Sequence, residues 1–442
     1  MPNRRTTHSV KLVRKIILQR IRSKSFQTVG LYTLGSVCSR GISFIFLPVF
    51  TYFISAAGFG ILALISNSIL LLNGLILFST NVTLNAEFFK EDKQAYRKLF
   101  TSLFGYVAGS TLLAMLLIAI FYRPLHDNFG FQPYYILLLP FLTFLNFFYE
   151  QLNNFLRLRE EPVRFFILNV SRAAVEVLTA IALLYFFRLD YVARIISMTL
   201  APLVFAGYAA WYFFVRMKLW GKFDWKVIRH EIPFGISILI NTLGIFLMGS
   251  ADKFFIKYIS GDNSITGIYN IAFTLSSVVF IFSSAMVGYI TPNLYRHFTN
   301  GNGDNFREVK RLLSRYILAM AGAGLLVFMV GFVAYHYLMN PTYLAGFNAF
   351  CLLLVGNLFW ACCTFLYPVL WYYRAKRILV YTSVGSMVLS FVTYYFLIRY
   401  YLMEGAAVAS IIIYAVTGAT LFLIVHRLLE KKSPVAVTPV VK

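Results

Sequence analysis

Several polar and charged side chains lie inside long apolar stretches of this sequence: Arg40, Asn146, Glu150, Arg172, Glu176, Asp252 and Lys253. A charge deep in a membrane-spanning helix costs roughly 3 kcal/mol or more unless it meets water or a partner. Each of these residues is therefore a candidate binding or coupling residue. The sequence contains no HExxH, GxSxG, Walker-type glycine loop or paired CxxC motif, so nothing in it favours hydrolysis, metal chemistry or a cofactor.

Arg40 lies near the middle of the first apolar stretch. A guanidinium group binds phosphate in a bidentate manner, so Arg40 is predicted to contact a phosphate or an acidic sugar. The alternative is a structural contact to backbone carbonyls or to an acid on another helix. Arg172, in the fifth apolar stretch, is likewise predicted to bind an anionic headgroup. It lies four residues before Glu176 on the same helix face, so these two residues can instead pair with each other. If Glu176 engages Arg40 instead, a substrate phosphate could displace it.

Asn146 and Glu150 share a face of the fourth apolar stretch with Asn153. This face could line a vestibule for hydroxyl-rich sugars. The alternative is that these side chains make hydrogen bonds between helices, as amide side chains often do in membranes.

Asp252 and Lys253 lie far along the seventh apolar stretch. Adjacent residues point in different directions on a helix, so we expect no tight ion pair between them. Lys253 is predicted to extend towards the outer interface. Asp252 is predicted to face a cleft, where it would bind a proton or Na⁺ or close an outer gate.

The amino-acid composition predicts that membrane-spanning helices carry these residues. The 442 residues are 59% hydrophobic and 13% charged, and 45 of them are Phe; the mean hydropathy is +0.72. These values exceed what a soluble core can bury, and they predict an all-α polytopic membrane protein. The net charge of +23 therefore indicates membrane topology rather than a nucleic-acid partner. The aromatic run 371–373 is predicted to lie in an interfacial belt.

Apolar stretches bounded by charges or turn residues predict about twelve transmembrane helices. The predicted spans are 27–54, 59–85, 99–121, 134–156, 163–187, 191–215, 232–259, 265–294, 314–338, 343–372, 378–399 and 404–426. Most of the 40 Lys and Arg residues fall in segments on one side of these spans. The positive-inside rule therefore predicts that both termini are cytoplasmic.

Short sequence segments recur later in the chain, separated by a nearly constant number of residues, which indicates two similar halves. FTYFIS at residues 50–55 resembles FIKYIS at 255–260, and Gly60 and Gly267 each follow soon after. Such a parallel repeat predicts two six-helix lobes with the substrate between them. The predicted segments are a basic amphipathic arm (1–25) on the inner leaflet, an N-lobe (26–215), a cytoplasmic linker (216–231), a C-lobe (232–427) and a cytoplasmic tail (428–442).

The segments PVFTYFIS, AGFGILAL, SADKFFIKYIS and TGIYNIAF resemble those of the oligosaccharide-lipid flippases of polysaccharide biosynthesis, the Wzx-like family. This family belongs to the MATE/MOP superfamily of multidrug extruders and flippases. The resemblance implies a MATE-like fold that moves an undecaprenyl-pyrophosphate-linked oligosaccharide across a bacterial inner membrane by alternating access, for polysaccharide, lipopolysaccharide or O-antigen synthesis. Membrane lipid and other polysaccharide-assembly membrane proteins are the expected partners. Three energy sources stay open: a coupling cation, H⁺ or Na⁺, the membrane potential acting on the anionic substrate, or consumption of the product outside.

Two other functions stay open at this point. A cation-coupled multidrug extruder of the same fold would require acidic side chains in the cleft, and the early spans lack them. A membrane glycosyl polymerase or ligase is disfavoured because the predicted outer loops are short. The sequence therefore favours a transporter over an enzyme.

Overall fold

The computed structural model describes residues 24–88, 92–129, 132–300, 305–373 and 375–431. The predicted basic arm up to residue 23 and the tail from residue 432 lie outside this part of the chain. All regular secondary structure within it is helical. The all-α architecture predicted from hydropathy is confirmed.

The N-half contains helices α1 to α9. They are α1 Lys24–Ile45, α2 Leu47–Phe53, α3 Ala56–Leu77, α4 Thr80–Glu87, α5 Lys93–Ile120, α6 Tyr122–Phe129, α7 Pro133–Leu158, α8 Pro162–Phe187 and α9 Asp190–Ala210. A π-helical turn, Trp211–Arg216, follows α9.

The C-half contains helices α10 to α16. They are α10 Trp225–Gly249, α11 Asp252–Ser260, α12 Asn263–Ser276, α13 Val279–Asn300, α14 Asn305–Val333, α15 Phe347–Tyr372 and α16 Lys376–Lys431. A π-helical turn, Ala334–Leu338, and a 3₁₀ helix, Pro341–Gly346, join α14 to α15.

Within the described residues, 11 helical segments are long and apolar enough to cross a membrane. The last, Ile378–Glu430, has 53 residues, about 80 Å of helix, which is enough for two crossings of a core about 30 Å thick. It breaks at Leu402, where φ is 46°, between the predicted eleventh and twelfth spans. The polytopic fold is therefore confirmed, whereas the limits of the arm, lobes, linker and tail stay predictions.

The leading spans of the two halves break at matching places. The first span breaks at Phe46, between α1 and α2, and the seventh breaks at Ser250 and Ala251, between α10 and α11. Ser55 caps α3 by accepting a hydrogen bond from the backbone N–H of Gly58, and Asp262 caps α12 in the same way. Side-chain oxygens at these positions satisfy backbone donors that the helix leaves free.

At Gly60 and Gly267 the backbones of the two halves touch each other directly. A Cβ atom at Gly60 would lie 2.0 Å from the carbonyl oxygen of Asn263, and one at Gly267 would lie 1.9 Å from that of Ala56. Both obstacles are backbone atoms, so only glycine permits this approach. The two glycines matched in the predicted repeat therefore face each other across the halves. We call this end of the molecule, at the α2–α3 and α11–α12 turns, the closed end.

The buried hydrophobic residues form two clusters. One core runs through the C-half and continues into the N-half near the closed end, where Phe50, Phe59 and Leu184 join it. A second core, which includes Phe100 and Phe213, is confined to the N-half. The halves therefore share a core at the closed end, and away from it they stay in contact along α10, where Gly235 meets Phe78 and Glu231 accepts a hydrogen bond from Thr83.

Candidate functional site

Two open cavities lie between the halves and meet at Arg40. The interlobe cavity, of about 540 Å³, lies among α1, α3, α9 and α12. The C-half cavity, of about 710 Å³, is walled by α13 and α15 and extends away from the closed end. Arg40 and Phe280 line both cavities. Together the two cavities form a continuous cleft with a guanidinium group near its middle.

The charge of this cleft is positive. Arg40 and Arg194 line the interlobe cavity, and the described residues that line either cavity include no Asp or Glu. The side chain of Arg40 is exposed to the cleft. A guanidinium group here can offer several N–H donors to an anion.

Arg194 is paired with Glu176 across helices. Its guanidinium lies 3.1 Å from the Glu176 carboxylate and 5.1 Å from the ring centroid of Phe50. The predicted pairing of Glu176 with Arg172 is therefore wrong, and Glu176 does not engage Arg40 either. The i, i+4 spacing allows a pair, but Arg172 bonds to Asn146 on α7 and Glu176 pairs with Arg194 on α9.

Arg172 belongs to a polar network between α7 and α8. Its guanidinium donates a hydrogen bond to Asn146 Oδ1 and lies 3.9 Å from the ring centroid of Tyr149. Tyr149 donates to Asn169, whose amide donates to Asn153. Asn146 and Asn153 thus make the interhelical hydrogen bonds that we considered as an alternative.

Glu150 also lies on α7, and its carboxylate accepts a hydrogen bond from the Asn81 side chain. Glu150, Asn146 and Arg172 are not among the residues that line the two cavities. Their predicted roles as substrate contacts stay predictions.

Asp252 and Lys253 form a tight, fully buried ion pair, contrary to the prediction. Lys253 Nζ lies 2.9 Å from Asp252 Oδ1, and each side chain is 1% exposed. The prediction failed because Asp252 is the first residue of α11, where its carboxylate folds back to accept the Lys253 backbone N–H. Tyr269 donates to the other carboxylate oxygen at 2.6 Å, and Lys253 Nζ lies 3.8 Å from the ring centroid of Phe273. Lys253 therefore does not extend to the interface.

This pair lies beside the break between α10 and α11. The break leaves the Met248 carbonyl without its usual helical donor, and the hydroxyls of Tyr394 and Tyr414 donate to it at 2.9 and 3.2 Å. Neither Asp252 nor Lys253 lines either cavity. The coupling or gating role proposed for them stays a prediction.

Three residues that line the cleft, Arg194, Trp360 and Tyr367, were not predicted from the sequence. Arg194 falls close to the start of the predicted span 191–215, where a charge fits the membrane interface, and α9 carries it into the cleft. Trp360, Tyr367 and Trp371 line the C-half cavity, so Trp371 faces a cleft rather than only an interfacial belt. Their spacing of seven and four residues places them on one helix face, and this pattern could have revealed them.

Among the described residues, no group of three or more His, Cys, Asp or Glu side chains could hold a metal ion. Cys38, Cys351, Cys362 and Cys363 are free thiols.

Comparison with known proteins identifies both family and fold. A family model described as "Polysaccharide biosynthesis protein" matches residues 25–296. No curated protein sequence matches the chain.

Solved structures similar to this chain are transporters. One is the inward-facing conformation of a multidrug resistance MATE family transporter of the MOP superfamily, with 14% identity, a TM-score of 0.68 and coverage of 91% of this chain and 96% of that one. The outward-facing conformation of such a transporter has 12% identity, a TM-score of 0.53 and coverage of 94% and 99%. A MOP superfamily transporter from Pyrococcus furiosus Vc1 has 13% identity, a TM-score of 0.50 and coverage of 93% and 97%. The fold is therefore that of the MATE/MOP transporters.

Proposed function

Because this chain belongs to the polysaccharide biosynthesis protein family, we propose that it is a flippase that moves an undecaprenyl-pyrophosphate-linked oligosaccharide across the bacterial inner membrane. The observation that carries this proposal is the cleft between the halves, which presents Arg40 and Arg194 and has no carboxylate among its described lining residues. A pyrophosphate is the part of such a lipid that needs cationic partners.

Arg40 and Arg194 form the proposed headgroup site. Arg40 makes no hydrogen bond or ion pair with any other described side chain, so its donors are free to meet a phosphate. Arg194 holds Glu176, whose carboxylate occupies the position that a substrate phosphate would take. The incoming pyrophosphate replaces Glu176, so Arg194 moves from an internal anion to the substrate without becoming an unpaired buried charge.

The polyprenyl tail leaves the cleft between α1 and α13. On the opposite side α3 and α4 pack along α10. A Cβ atom at Gly74 on α3 would lie 2.7 Å from Thr242, and Thr83 on α4 donates a hydrogen bond to Glu231 at 2.6 Å. α1 and α13 pack together much less and both line the cavities. The tail therefore stays in lipid while the headgroup and glycan occupy the cleft.

Alternating access supplies the proposed transport step. With the closed end outside, as the positive-inside rule predicts, this state receives substrate from the cytoplasm. Separation of the halves at Gly60 and Gly267 then opens the cleft to the outside. A coupling cation, H⁺ or Na⁺, and contacts with other polysaccharide-assembly membrane proteins belong to the same proposal.

A cation-coupled multidrug extruder is the second candidate function. The fold favours it, because similar solved structures are of multidrug resistance MATE transporters. The cationic cleft disfavours it, because a cationic drug would meet Arg40 and Arg194 without a lining carboxylate.

The test is binding and translocation of a fluorescent undecaprenyl-pyrophosphate oligosaccharide in proteoliposomes. Arg40→Ala and Arg194→Ala are compared with wild type at equal incorporation, with Arg399→Ala as the control because Arg399 is exposed and outside both cavities. We expect both cleft variants to lose transport and the control to retain it. Glu176→Gln should bind the lipid more tightly, because it no longer competes for Arg194.

Two results would contradict the proposal. The first is a wild type that ignores this lipid but exports cationic dyes against a Na⁺ or proton gradient, which would establish the multidrug function instead. The second is equal transport by all the variants, which would show that Arg40 and Arg194 do not bind the headgroup.

A further inference from the structure

The C-half cavity has one wall of aromatic rings. Trp360, Tyr367 and Trp371 project from one face of α15, and the Trp360–Tyr367 and Tyr367–Trp371 ring centroids are each 6.2 Å apart. The strip runs about 16 Å along the helix, given a rise of about 1.5 Å per residue. It continues from the middle of the cleft to its mouth, where Trp371 is 58% exposed.

The opposite wall presents hydroxyl oxygens. Ser284 and Thr291 on α13 line the cavity, and each donates its hydroxyl proton to a backbone carbonyl of its own helix. Thr364, on the aromatic wall itself, also donates to a backbone carbonyl, and its oxygen already contacts the Ser283 hydroxyl. A hydroxyl that has donated its proton keeps lone pairs that accept hydrogen bonds. These side chains are therefore set to accept hydrogen bonds from a ligand.

This combination identifies the chemistry of the occupant. The faces of aromatic rings carry negative partial charge and attract the C–H groups on the faces of sugar rings, while sugar hydroxyls donate to oxygen acceptors. A polyprenyl chain has no donors that could make hydrogen bonds to these hydroxyl oxygens. An aromatic cation would be repelled by Arg40, and the described lining offers it no carboxylate.

We propose that the C-half cavity is the glycan subsite, in which a short oligosaccharide stacks along Trp360, Tyr367 and Trp371 with its reducing-end phosphate at Arg40. The inference rests on the proposed flippase function and deepens it by dividing the substrate between two sites. Arg40 holds the charged headgroup, and the aromatic strip holds the neutral sugars.

Separate binding measurements on two lipids test this division. One probe is lipid-linked oligosaccharide extracted from the bacterium that naturally makes this protein. The other is undecaprenyl pyrophosphate without sugar. Trp360→Leu and Trp371→Leu should bind the glycan-bearing lipid roughly three- to tenfold more weakly than wild type, from the usual strength of an aromatic contact. Both variants should bind undecaprenyl pyrophosphate as wild type does. Trp360→Tyr should restore most of the lost affinity.

The matched control is Trp211→Leu. Trp211 is 48% exposed and stacks on Tyr208, outside the cavity, so its replacement should change neither affinity.

The outcomes separate the two proposals. Wild type that binds neither lipid contradicts the flippase function itself. Wild type that binds both, with cleft variants that bind the glycan-bearing lipid equally well, overturns the glycan subsite alone. Equal losses for both lipids also overturn it, because they show that the rings only support the shape of the cleft.

Discussion

At the scale of single residues, the buried pair of Asp252 and Lys253 shows how this membrane protein tolerates charge. Each ionised group is expensive to bury alone, but the ion pair, the Tyr269 hydroxyl and the Phe273 ring surround both. Removing one partner of a buried pair typically costs about 3–5 kcal/mol, whereas replacing both is often nearly neutral. The pair is therefore best tested by comparing single and double variants.

Lys253→Met should lower the melting temperature in detergent, because it leaves the Asp252 carboxylate without its cation. The double variant Asp252→Asn with Lys253→Met should recover most of that loss, because the Asn oxygen still accepts from Tyr269. Thermal unfolding followed by tryptophan fluorescence measures both. Transport by the stable double variant would exclude Asp252 as the coupling acid, whereas a stable double variant without transport would support that role.

Residue-scale contacts were also the least predictable from sequence. Glu176 pairs with Arg194, which lies beyond the turn between α8 and α9, rather than with Arg172 on its own helix. Spacing along one helix fixes which side chains share a face, but not which neighbour that face meets. For Asp252, the prediction assumed an unbroken seventh span, and the helix break at Ser250 changed the direction of the side chain.

At the scale of elements, the segment between the halves is docked onto α5. The backbone N–H groups of Gly221 and Asp224 donate to the hydroxyls of Thr101 and Ser102, and Lys98 pairs with the Asp224 carboxylate. Asp224 also caps α10 by accepting the Lys226 backbone N–H. Residues 221–224 of the linker are therefore fixed along α5. We call this docked segment the strap.

The hydrogen bond from Lys98, followed by that from the Lys226 backbone, lowers the pKa of Asp224 below its ordinary value of 3.8. A lowered folded-state pKa contributes stability above pH 3.8, and this contribution is lost as the pH falls through the lower value. The strap should therefore stay docked at neutral pH and loosen only in strong acid. Asp224→Asn should loosen it at neutral pH by removing the charge while keeping a cap oxygen.

Trypsin cleavage after Lys218 and Lys222 measures this loosening, and we expect faster cleavage in Asp224→Asn than in wild type. Asp262→Asn is the control, because Asp262 caps α12 far from the strap. Equal cleavage rates in all three proteins would show that the ion pair does not hold the linker.

Elements were largely predictable because hydropathy encodes them directly. The twelve predicted spans fall on helices, and the predicted gap between the last two contains the break at Leu402. The aromatic strip on α15 was missed because tryptophan near a span end fits an interfacial belt equally well. Only the packing of α13 beside α15 shows that Trp371 faces a cavity.

At the scale of the whole molecule, the contact between Gly60 and Gly267 holds one end closed. Replacing either glycine by alanine places a methyl group against a backbone carbonyl, so the halves must move apart there. Gly60→Ala and Gly267→Ala should each shift the population towards an outward-open cleft. Gly207→Ala is the control, because no atom lies within 4 Å of a Cβ at that position.

The measurement uses a cysteine at Ser66, which lines the interlobe cavity, in a chain whose four natural cysteines have been replaced. A membrane-impermeant maleimide added outside should label this cysteine faster in the two glycine variants than in the control. Unchanged labelling in both would show that this contact does not set the conformational equilibrium.

The matched positions at the closed end also bear on how such a protein could arise and diverge. Gly60 meets the backbone of Asn263, and Gly267 meets that of Ala56, so each half offers the other the same kind of surface. Two copies of a single ancestral half could make this contact twice without side chains specific to either copy. Other positions in each half could then change independently, whereas a larger residue in place of either glycine would meet a backbone carbonyl of the other half.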